Sequence, residues 1–207
     1  MFFKKIKIML FVFLFSISLA GCNFDSQQSN SSTTKKTATR EKEAQYTNGT
    51  HTNIIKSYDN LNLEQTKGNI KVTIPSIKEV KTVLSDKDYN ILKETSPNLV
   101  ENGKSLNAII VFLKIQNLSN KKIEAYPDQS ILVVNGVQIN DDMILKDESI
   151  PAGDILGNAK KEGAIPFIVE KIEDLNSVKF SFDTYINPNA EDVENIEFEF
   201  DINLNNK

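Results

Sequence analysis

The chain of 207 residues has 24 basic and 28 acidic residues, one histidine and one cysteine, so its formal charge is −4. An excess of acid argues against nucleic acid as a partner, because neutralising phosphates requires a basic patch. The single cysteine excludes a disulfide within the chain, and stability must come from a hydrophobic core. A body of about 150 residues is large enough to bury one, so we expect one domain.

The first 21 residues have the pattern of a secretory signal peptide. Three lysines among the first seven residues precede an apolar run from residue 8 to residue 19. A signal peptide needs an apolar run of about 7 to 15 residues, whereas a transmembrane helix needs about 20. We therefore predict that residues 1–21 are a signal peptide and are removed.

The segment Leu19-Ala20-Gly21-Cys22 resembles the lipobox of bacterial lipoproteins, whose cysteine receives diacylglycerol before cleavage makes it the first residue. A cysteine thiolate is a strong nucleophile for accepting the lipid. The resemblance implies a protein held on the extracytoplasmic face of the cell membrane through Cys22, because two acyl chains anchor a protein durably. The alternative is ordinary cleavage after an Ala-x-Ala-like site, which leaves Cys22 as a free thiol.

Residues 22–56 are predicted to form the lipidated cysteine and a disordered linker, and residues 57–207 the folded domain. The linker is rich in Ser, Thr, Gln, Asn and Lys, a composition that cannot bury enough apolar surface to fold. Without the leader the chain carries −7, of which residues 23–56 contribute +2 and the rest −9. The only histidine, His51, is interpreted as a solvated linker residue, and it cannot by itself build a zinc site or a catalytic triad.

The first half of the body shows strand patterns and one short helical stretch. Ile70, Val72 and Ile74 alternate with polar residues until Pro75, which fits an edge strand or a bulge. Residues 88–93 are a candidate short helix. Residues 108–115 are apolar at consecutive positions, which predicts a central strand buried on both faces at its start.

The second half predicts further strands in quick succession. Residues 123–126 form a return strand, and Asn135-Gly136 between two β-branched runs predicts a hairpin, because both residues tolerate positive φ. Another strand follows at residues 163–169. The last two strands alternate cleanly, with apolar residues on one face and polar residues on the other. Their apolar residues are Val178, Phe180, Phe182, Ile196, Phe198, Phe200, Ile202 and Leu204.

Seven or eight such strands without a long helical period predict an all-β chain folded as an immunoglobulin-like antiparallel β-sandwich. Residues 68–182 also resemble an uncharacterised immunoglobulin-like domain of Gram-positive lipoproteins, related to a secreted mycobacterial immunoprotective antigen. The shared features are an early edge strand, a long apolar strand running into residues 117–122, the strand at 131–134, and the block at 163–167. The resemblance implies surface exposure and binding, and that family has no assigned catalytic site.

Two acidic segments are weak candidates for a metal site. Residues 86–90 place oxygen ligands as a calcium loop does, but Ile91 and Pro97 occupy the positions of the required glycine and glutamate. An acidic loop region could bind a divalent cation loosely, although a solvated surface is the favoured interpretation. That region consists of Asp141, Asp142, Asp147, Glu148 and Asp154. Glu197, Glu199 and Asp201 project from one strand face toward water or a basic partner.

These observations favour a non-catalytic, lipid-anchored module that binds a protein or a cell-envelope component outside the cytoplasm. We expect no cofactor and no bound metal. The alternative is an accessory or immunity-type lipoprotein that modulates a neighbouring membrane transporter or signalling system, and an enzyme is the third possibility. Fold and tether alone support binding, so the ligand remains open.

Overall fold

The fold consists of two six-stranded antiparallel sheets that pack face to face. The computed structural model describes residues 50–146, 148–170, 175–186 and 193–205, and these contain twelve strands rather than the predicted seven or eight. The antiparallel sandwich itself is confirmed. The strands are β1 (His51–Tyr58), β2 (Leu63–Lys67), β3 (Ile70–Ile74), β4 (Ile77–Val83), β5 (Ser105–Asn117), β6 (Ile123–Ala125), β7 (Ile131–Val134), β8 (Val137–Ile139), β9 (Gly153–Ile155), β10 (Lys160–Val169), β11 (Ser177–Ile186) and β12 (Glu194–Asn203).

The first sheet is organised around β5, the predicted central strand. One edge of β5 pairs with β10, and the other edge pairs first with β4 and then with β3. Strands β1 and β2 complete the sheet by pairing with β4 and β3. Because proline has no backbone N–H, Pro75 marks the break between β3 and β4. The predicted interruption is therefore confirmed, whereas the edge-strand alternative for β3 is wrong, since β3 lies between β2 and β5.

The second sheet repeats the same plan around β11. Strand β12 covers one edge of β11, and the short strands β6 and β7 cover the other. The 3₁₀ helix Pro127–Gln129 separates β6 from β7, so a proline again marks the break. Strands β8 and β9 pair with β7 and β6 respectively. In the predicted β7–β8 hairpin, Asn135 and Gly136 have φ of 49° and 86°, as such a turn requires.

The chain crosses from the first sheet to the second directly after β5. The predicted return strand is present as β6, but it pairs with β9 and β11 instead of returning along β5. Asn117 is fully buried at this crossing, and its side-chain amide donates to the main-chain oxygens of Lys121 at 2.6 Å and Ile155 at 3.1 Å. These bonds fix the turn that leads into the second sheet.

The space between the sheets is filled by one apolar core. The apolar residues predicted for the last two strands are all buried in it, and Phe182 stacks on Phe198 with ring centroids 5.8 Å apart. A second apolar cluster lies on the outer face of the first sheet and includes Leu106, Ala108 and Ile110 of β5. Strand β5 is therefore buried on both faces at its start, as its consecutive apolar residues predict.

Helical segments cover that outer face. The predicted short helix is confirmed as α1 (Asp86–Thr95), which is followed by the 3₁₀ helix Pro97–Val100. Their buried residues Leu92, Leu99 and Val100 join the second cluster, as does Met143 of the 3₁₀ helix Asp141–Met143. Ser85 caps α1 by accepting a hydrogen bond from the backbone N–H of Asp88 at 3.1 Å.

The first strand begins earlier than predicted. Strand β1 starts at His51, so residues 51–56 belong to the first sheet and not to the linker. His51 is half-buried and lies opposite Val83 of β4, which makes its interpretation as a solvated linker residue wrong. The polar sequence of β1 concealed the strand, because an edge strand buries few of its side chains. The leader, Cys22 and the linker up to residue 49 lie outside the described residues, and no helix within the described ranges is long and apolar enough to span a membrane.

Side chains of β2 connect the outer edges of the two sheets. The side-chain amide of Gln65 donates to the main-chain oxygen of Glu199 on β12, and the Lys67 ammonium donates to that of Glu197 at 2.7 Å. Strand β12 pairs with β11 along its other edge. Two backbone acceptors on the free edge of β12 are therefore satisfied by the neighbouring sheet.

Candidate functional site

The calcium-like segment is the beginning of helix α1. Asp88 accepts hydrogen bonds from the hydroxyls of Ser85 and Thr50, so its carboxylate serves the helix cap. Asp86 forms an ion pair with Lys104, and the hydrogen bond from that ammonium lowers the pKa of Asp86. Both acids of this segment are engaged in holding α1 in place.

The acidic residues predicted as a loose cation site do not form one group. Asp141 and Asp142 belong to a 3₁₀ helix, whereas Asp154 lies in β9 and pairs with Lys122 at 3.0 Å. Asp147 lies outside the described residues. Within the described part of the chain, no three metal-ligating side chains come together.

A large cavity opens between the two sheets, and we call it the rim cavity. Its volume is about 600 Å³, which lies within the range of about 300 to 1,000 Å³ typical of small-ligand sites. One wall comes from β4, β5 and β10, and the other from the β7–β8 hairpin with the 3₁₀ helix that follows. The lining side chains are Glu79, Ile109, Val134, Asn135, Val137, Gln138, Ile139, Asn140, Asp142, Met143, Ile168, Val169, Glu170 and Leu175.

A buried carboxylate and a buried phenol lie at the inner end of the rim cavity. Glu79 is 2% exposed, because β4 places it on the inner face opposite Ile109. The hydroxyl of Tyr58, on the adjacent strand β1, donates to Glu79 Oε1 at 2.9 Å. Burial raises the pKa of Tyr58, although Lys56, whose ammonium lies 4.8 Å from the ring centroid, acts in the opposite direction. Tyr58 therefore remains a neutral donor to Glu79 at physiological pH.

The lining determines what this cavity can bind. Eight lining side chains are apolar, three are carboxylates and three are carboxamides, while the described lining contains no lysine, arginine or histidine. Such a surface suits a ligand with an apolar body and hydrogen-bonding groups. Residues 171–174, which connect Glu170 to Leu175, lie outside the described residues.

The rim cavity lies in the half of the sandwich where β1 begins. Ser105, the first residue of β5, pairs with Val83 of β4, and Val83 pairs with His51, the first residue of β1. The two strands therefore begin in the same row of the first sheet. Ile109, in the cavity wall, is four residues further along β5. At about 3.4 Å per residue, Ile109 lies about 14 Å along the strand direction from this row.

Sequence reasoning missed this site. Lys78 and Glu79 look like ordinary solvent-facing charges in the sequence, and the pairing of Tyr58 with Glu79 spans 21 residues. The only local signal was the alternation of β4, in which Ile77 and Glu79 share a face. That signal becomes informative only once β4 is known to lie inside a sandwich.

Comparison with known proteins adds distant structural likenesses. No protein family matches the chain, and no curated protein is similar to it. A protein of unknown function from Listeria monocytogenes EGD-e aligns with a TM-score of 0.49 at 12% identity, over 72% of this chain and 86% of that one.

Two Bacillus subtilis structures are also similar to part of the chain. The candidate lipoprotein ycdA aligns with a TM-score of 0.42 at 11% identity, over 70% of this chain and 39% of that one. The yjhA protein aligns with a TM-score of 0.39 at 10% identity, over 60% and 81% respectively. Likenesses this distant transfer no function, so the resemblance to the immunoglobulin-like lipoprotein domain is carried by the sequence pattern alone.

Proposed function

We propose that this protein is a lipid-anchored extracytoplasmic binding module that acts without catalysis and receives a protein segment or cell-envelope component in the rim cavity. The observation that supports this proposal is the cavity itself, which is large, mostly apolar and open to solvent between the two sheets. Its polar groups are few and are held by strands, which favours orientation of a ligand.

The sequence supplies the anchor in this proposal. The lipobox-like segment ending in Cys22 places two acyl chains at the start of the mature protein. The 27 residues from Asn23 to Gly49 then form a tether, which as a flexible chain has a typical reach of about 30 Å. The tether joins the first sheet in the half of the sandwich that contains the rim cavity, so the ligand would bind in the half of the domain nearest the tether.

The chemistry of the cavity supports binding rather than catalysis. Its described lining offers carboxylates and carboxamides but no nucleophile placed beside a base. Glu79, the one deeply buried acid, is already hydrogen-bonded by Tyr58. We therefore assign Glu79 the role of orienting a ligand.

Blocking the cavity tests the binding site. Val137 is 66% exposed and lines the cavity, whereas Leu156 is 67% exposed and lies beyond β9, near the opposite end of β5. Val137→Trp should abolish capture of wall fragments or solubilised membrane proteins by the immobilised full chain, and Leu156→Trp should leave it intact. Equal capture by both variants would reject the rim cavity as the binding site.

The captured material separates the two functional hypotheses. Retention of wall fragments without a stoichiometric membrane protein supports the binding module. A stoichiometric transporter or signalling protein supports the accessory or immunity-type alternative, and contradicts the proposal of an envelope ligand.

Replacing the cysteine tests the anchor. Cys22→Ser should release the protein into the medium or leave the leader uncleaved, because serine cannot accept the lipid through a thioether. The measurement is fractionation of cells, followed by mass spectrometry of the first residue. A variant that is processed normally and stays in the membrane would disprove lipid anchoring.

A further inference from the structure

The outer face of the second sheet is acidic. Among the described residues, no α-helix packs against this face. Alternation along β6, β9, β11 and β12 directs six carboxylates outward, and they are joined by only two lysines, Lys122 and Lys179. The six acids are Glu124, Asp154, Asp183, Glu197, Glu199 and Asp201. These eight described side chains together have a formal charge of −4.

Two of these acids lie directly opposite each other. The pairing of β11 with β12 sets Asp183 against Glu197, and like charges in opposed positions destabilise a sheet. Four residues along β11, by contrast, the opposed pair is Lys179 and Asp201, which form an ion pair at 3.0 Å. The sheet thus has a complementary pair at one position and a repulsive pair at another.

The repulsive pair borders a small cleft walled by two tyrosines. The rings of Tyr126 and Tyr185 meet edge to face with centroids 5.4 Å apart, and the Tyr126 hydroxyl donates to Glu124. The cleft has a volume of about 110 Å³, which is enough for the head group of one side chain. We call it the acidic cleft, and its lining comprises Tyr126, Gln129, Ile131, Ser181, Phe182, Asp183, Tyr185 and Glu197.

The lysines described around the acidic cleft make contacts of their own. Lys122 pairs with Asp154 and Glu124, at 3.0 and 3.4 Å. Lys67 donates to the main-chain oxygen of Glu197 at 2.7 Å, and its ammonium lies 5.6 Å from the centroid of the Phe198 ring. These contacts direct the neighbouring cations to other acceptors, while Asp183 and Glu197 remain opposed.

We propose that the acidic cleft receives an arginine or lysine side chain from a basic partner protein, at a site separate from the rim cavity. A cation placed there would relieve the repulsion between Asp183 and Glu197. The two tyrosine rings would add cation–π attraction, which favours arginine in particular. Tyrosine is also enriched where proteins bind one another, because it combines apolar area with a polar group.

A basic peptide provides the test. Hexa-arginine labelled with a fluorophore is titrated with the purified full chain, and the Kd is read from anisotropy at two salt concentrations. Asp183→Asn combined with Glu197→Gln should weaken binding by about tenfold. The matched control, Glu94→Gln combined with Glu101→Gln, removes the same charge from exposed positions on and beside the helical cover of the first sheet, and should change the Kd by less than about twofold.

Further variants distinguish binding in the acidic cleft from attraction to the charge of the whole protein. Tyr185→Ala changes no charge and should also weaken binding of the peptide. Val137→Trp, in the rim cavity, should leave the Kd of the peptide unchanged. Equal losses in the two charge-matched double variants would show attraction to the overall charge only, and would overturn the proposal. Replacing Lys35, Lys36, Arg40 and Lys42 with alanine would overturn it too if peptide binding became about tenfold tighter, because the protein's own basic segment would then occupy the cleft.

Discussion

The two sheets bury matching inner faces but differ in their outer faces. The outer face of the first sheet packs against α1 and two 3₁₀ helices, and its cluster of side chains is apolar. The outer face of the second sheet carries the carboxylates, the lysines and the tyrosines of the acidic cleft. The helical segments thus cover the part of the first sheet around Leu106, Ala108 and Ile110, whereas the described outer face of the second sheet is formed by polar side chains.

The difference between the two outer faces shows how the composition of a strand determines whether its sheet is covered on one face or on both. In β5, residues 108–111 are apolar without interruption and all are buried. In β12, exposed and buried residues alternate from Asn195 to Asn203. A continuous apolar run needs a partner on both faces, while an alternating strand needs one only. The helical cover follows from the composition of β5, and the bare face follows from that of β12.

Removing a large side chain from the covered face should have the largest effect. Ile110 lies in the outer cluster of the first sheet and is almost fully buried. Ile110→Ala should lower the free energy of unfolding by about 2 to 5 kcal/mol, because it leaves a cavity under the helical cover. The measurement is urea unfolding followed by circular dichroism.

The matched change on the bare face is Glu199→Ala, which we expect to cost less than about 1 kcal/mol. Glu199 lies on the exposed face of β12, where alanine creates no cavity. A loss as large as that of Ile110→Ala would mean that the second sheet is also covered.

Loosening the cover itself should have a smaller effect. Ser85→Ala removes the cap of α1, which holds Asp88 through two hydrogen bonds, and should cost about 1 kcal/mol. Thr95→Ala removes another hydroxyl from the same helix, one that bonds back to the Ile91 carbonyl, and should be nearly neutral. Urea midpoints of the two variants, compared with the parent chain, decide whether capping holds the cover in place.

On the bare face we expect a change of opposite sign. Asp183→Asn combined with Glu197→Gln should raise the free energy of unfolding by about 0.2 to 1 kcal/mol in the absence of a partner, since it removes a repulsive cross-strand pair. Asp201→Asn, which breaks the attractive pair with Lys179, should lower stability slightly. Thermal melts at low salt provide the measurement, and destabilisation by the double variant would contradict the assigned repulsion.

The smallest expected effect is the loss of stability at low pH when Asp154 is protonated. The hydrogen bond from Lys122 lowers the pKa of Asp154 on the bare face. Its folded pKa therefore lies below its unfolded one, so the ionised carboxylate adds stability above the unfolded pKa, and this contribution is lost as pH falls through the folded pKa. Lys122→Met should raise the pKa of Asp154, as followed by NMR titration of its carboxyl carbon, whereas Lys179→Met should leave it unchanged.

The sequence was sufficient to predict a strand where burial imposes a regular spacing of apolar residues. The alternation of β11 and β12, the apolar run of β5 and the Asn135-Gly136 hairpin all predicted what the structure contains. Strands β1 and β2 were missed because edge strands bury few side chains and so leave little pattern. The second-sheet position of β6 was missed as well, since local sequence does not reveal which distant strand pairs with it.

The two candidate sites could not be predicted from the sequence either, because each depends on which distant strands lie next to one another. The carboxylates Glu197, Glu199 and Asp201 were predicted to share a face, and they do. Their relation to Asp183 and Tyr126 depends on the register of three strands. The rim cavity needs both sheets to be in place, and the burial of Glu79 depends on Tyr58, a residue from another strand.

The contacts from Gln65 and Lys67 to the free edge of β12 also bear on how copies of the protein behave when crowded together. An open strand edge is a template on which a second molecule can add its own strand, and repetition of that step leads to fibres. Here the main-chain acceptors of Glu197 and Glu199 are already occupied by side chains of the same molecule. Two polar residues of β2 thus leave these two acceptors unavailable to a strand added at this edge.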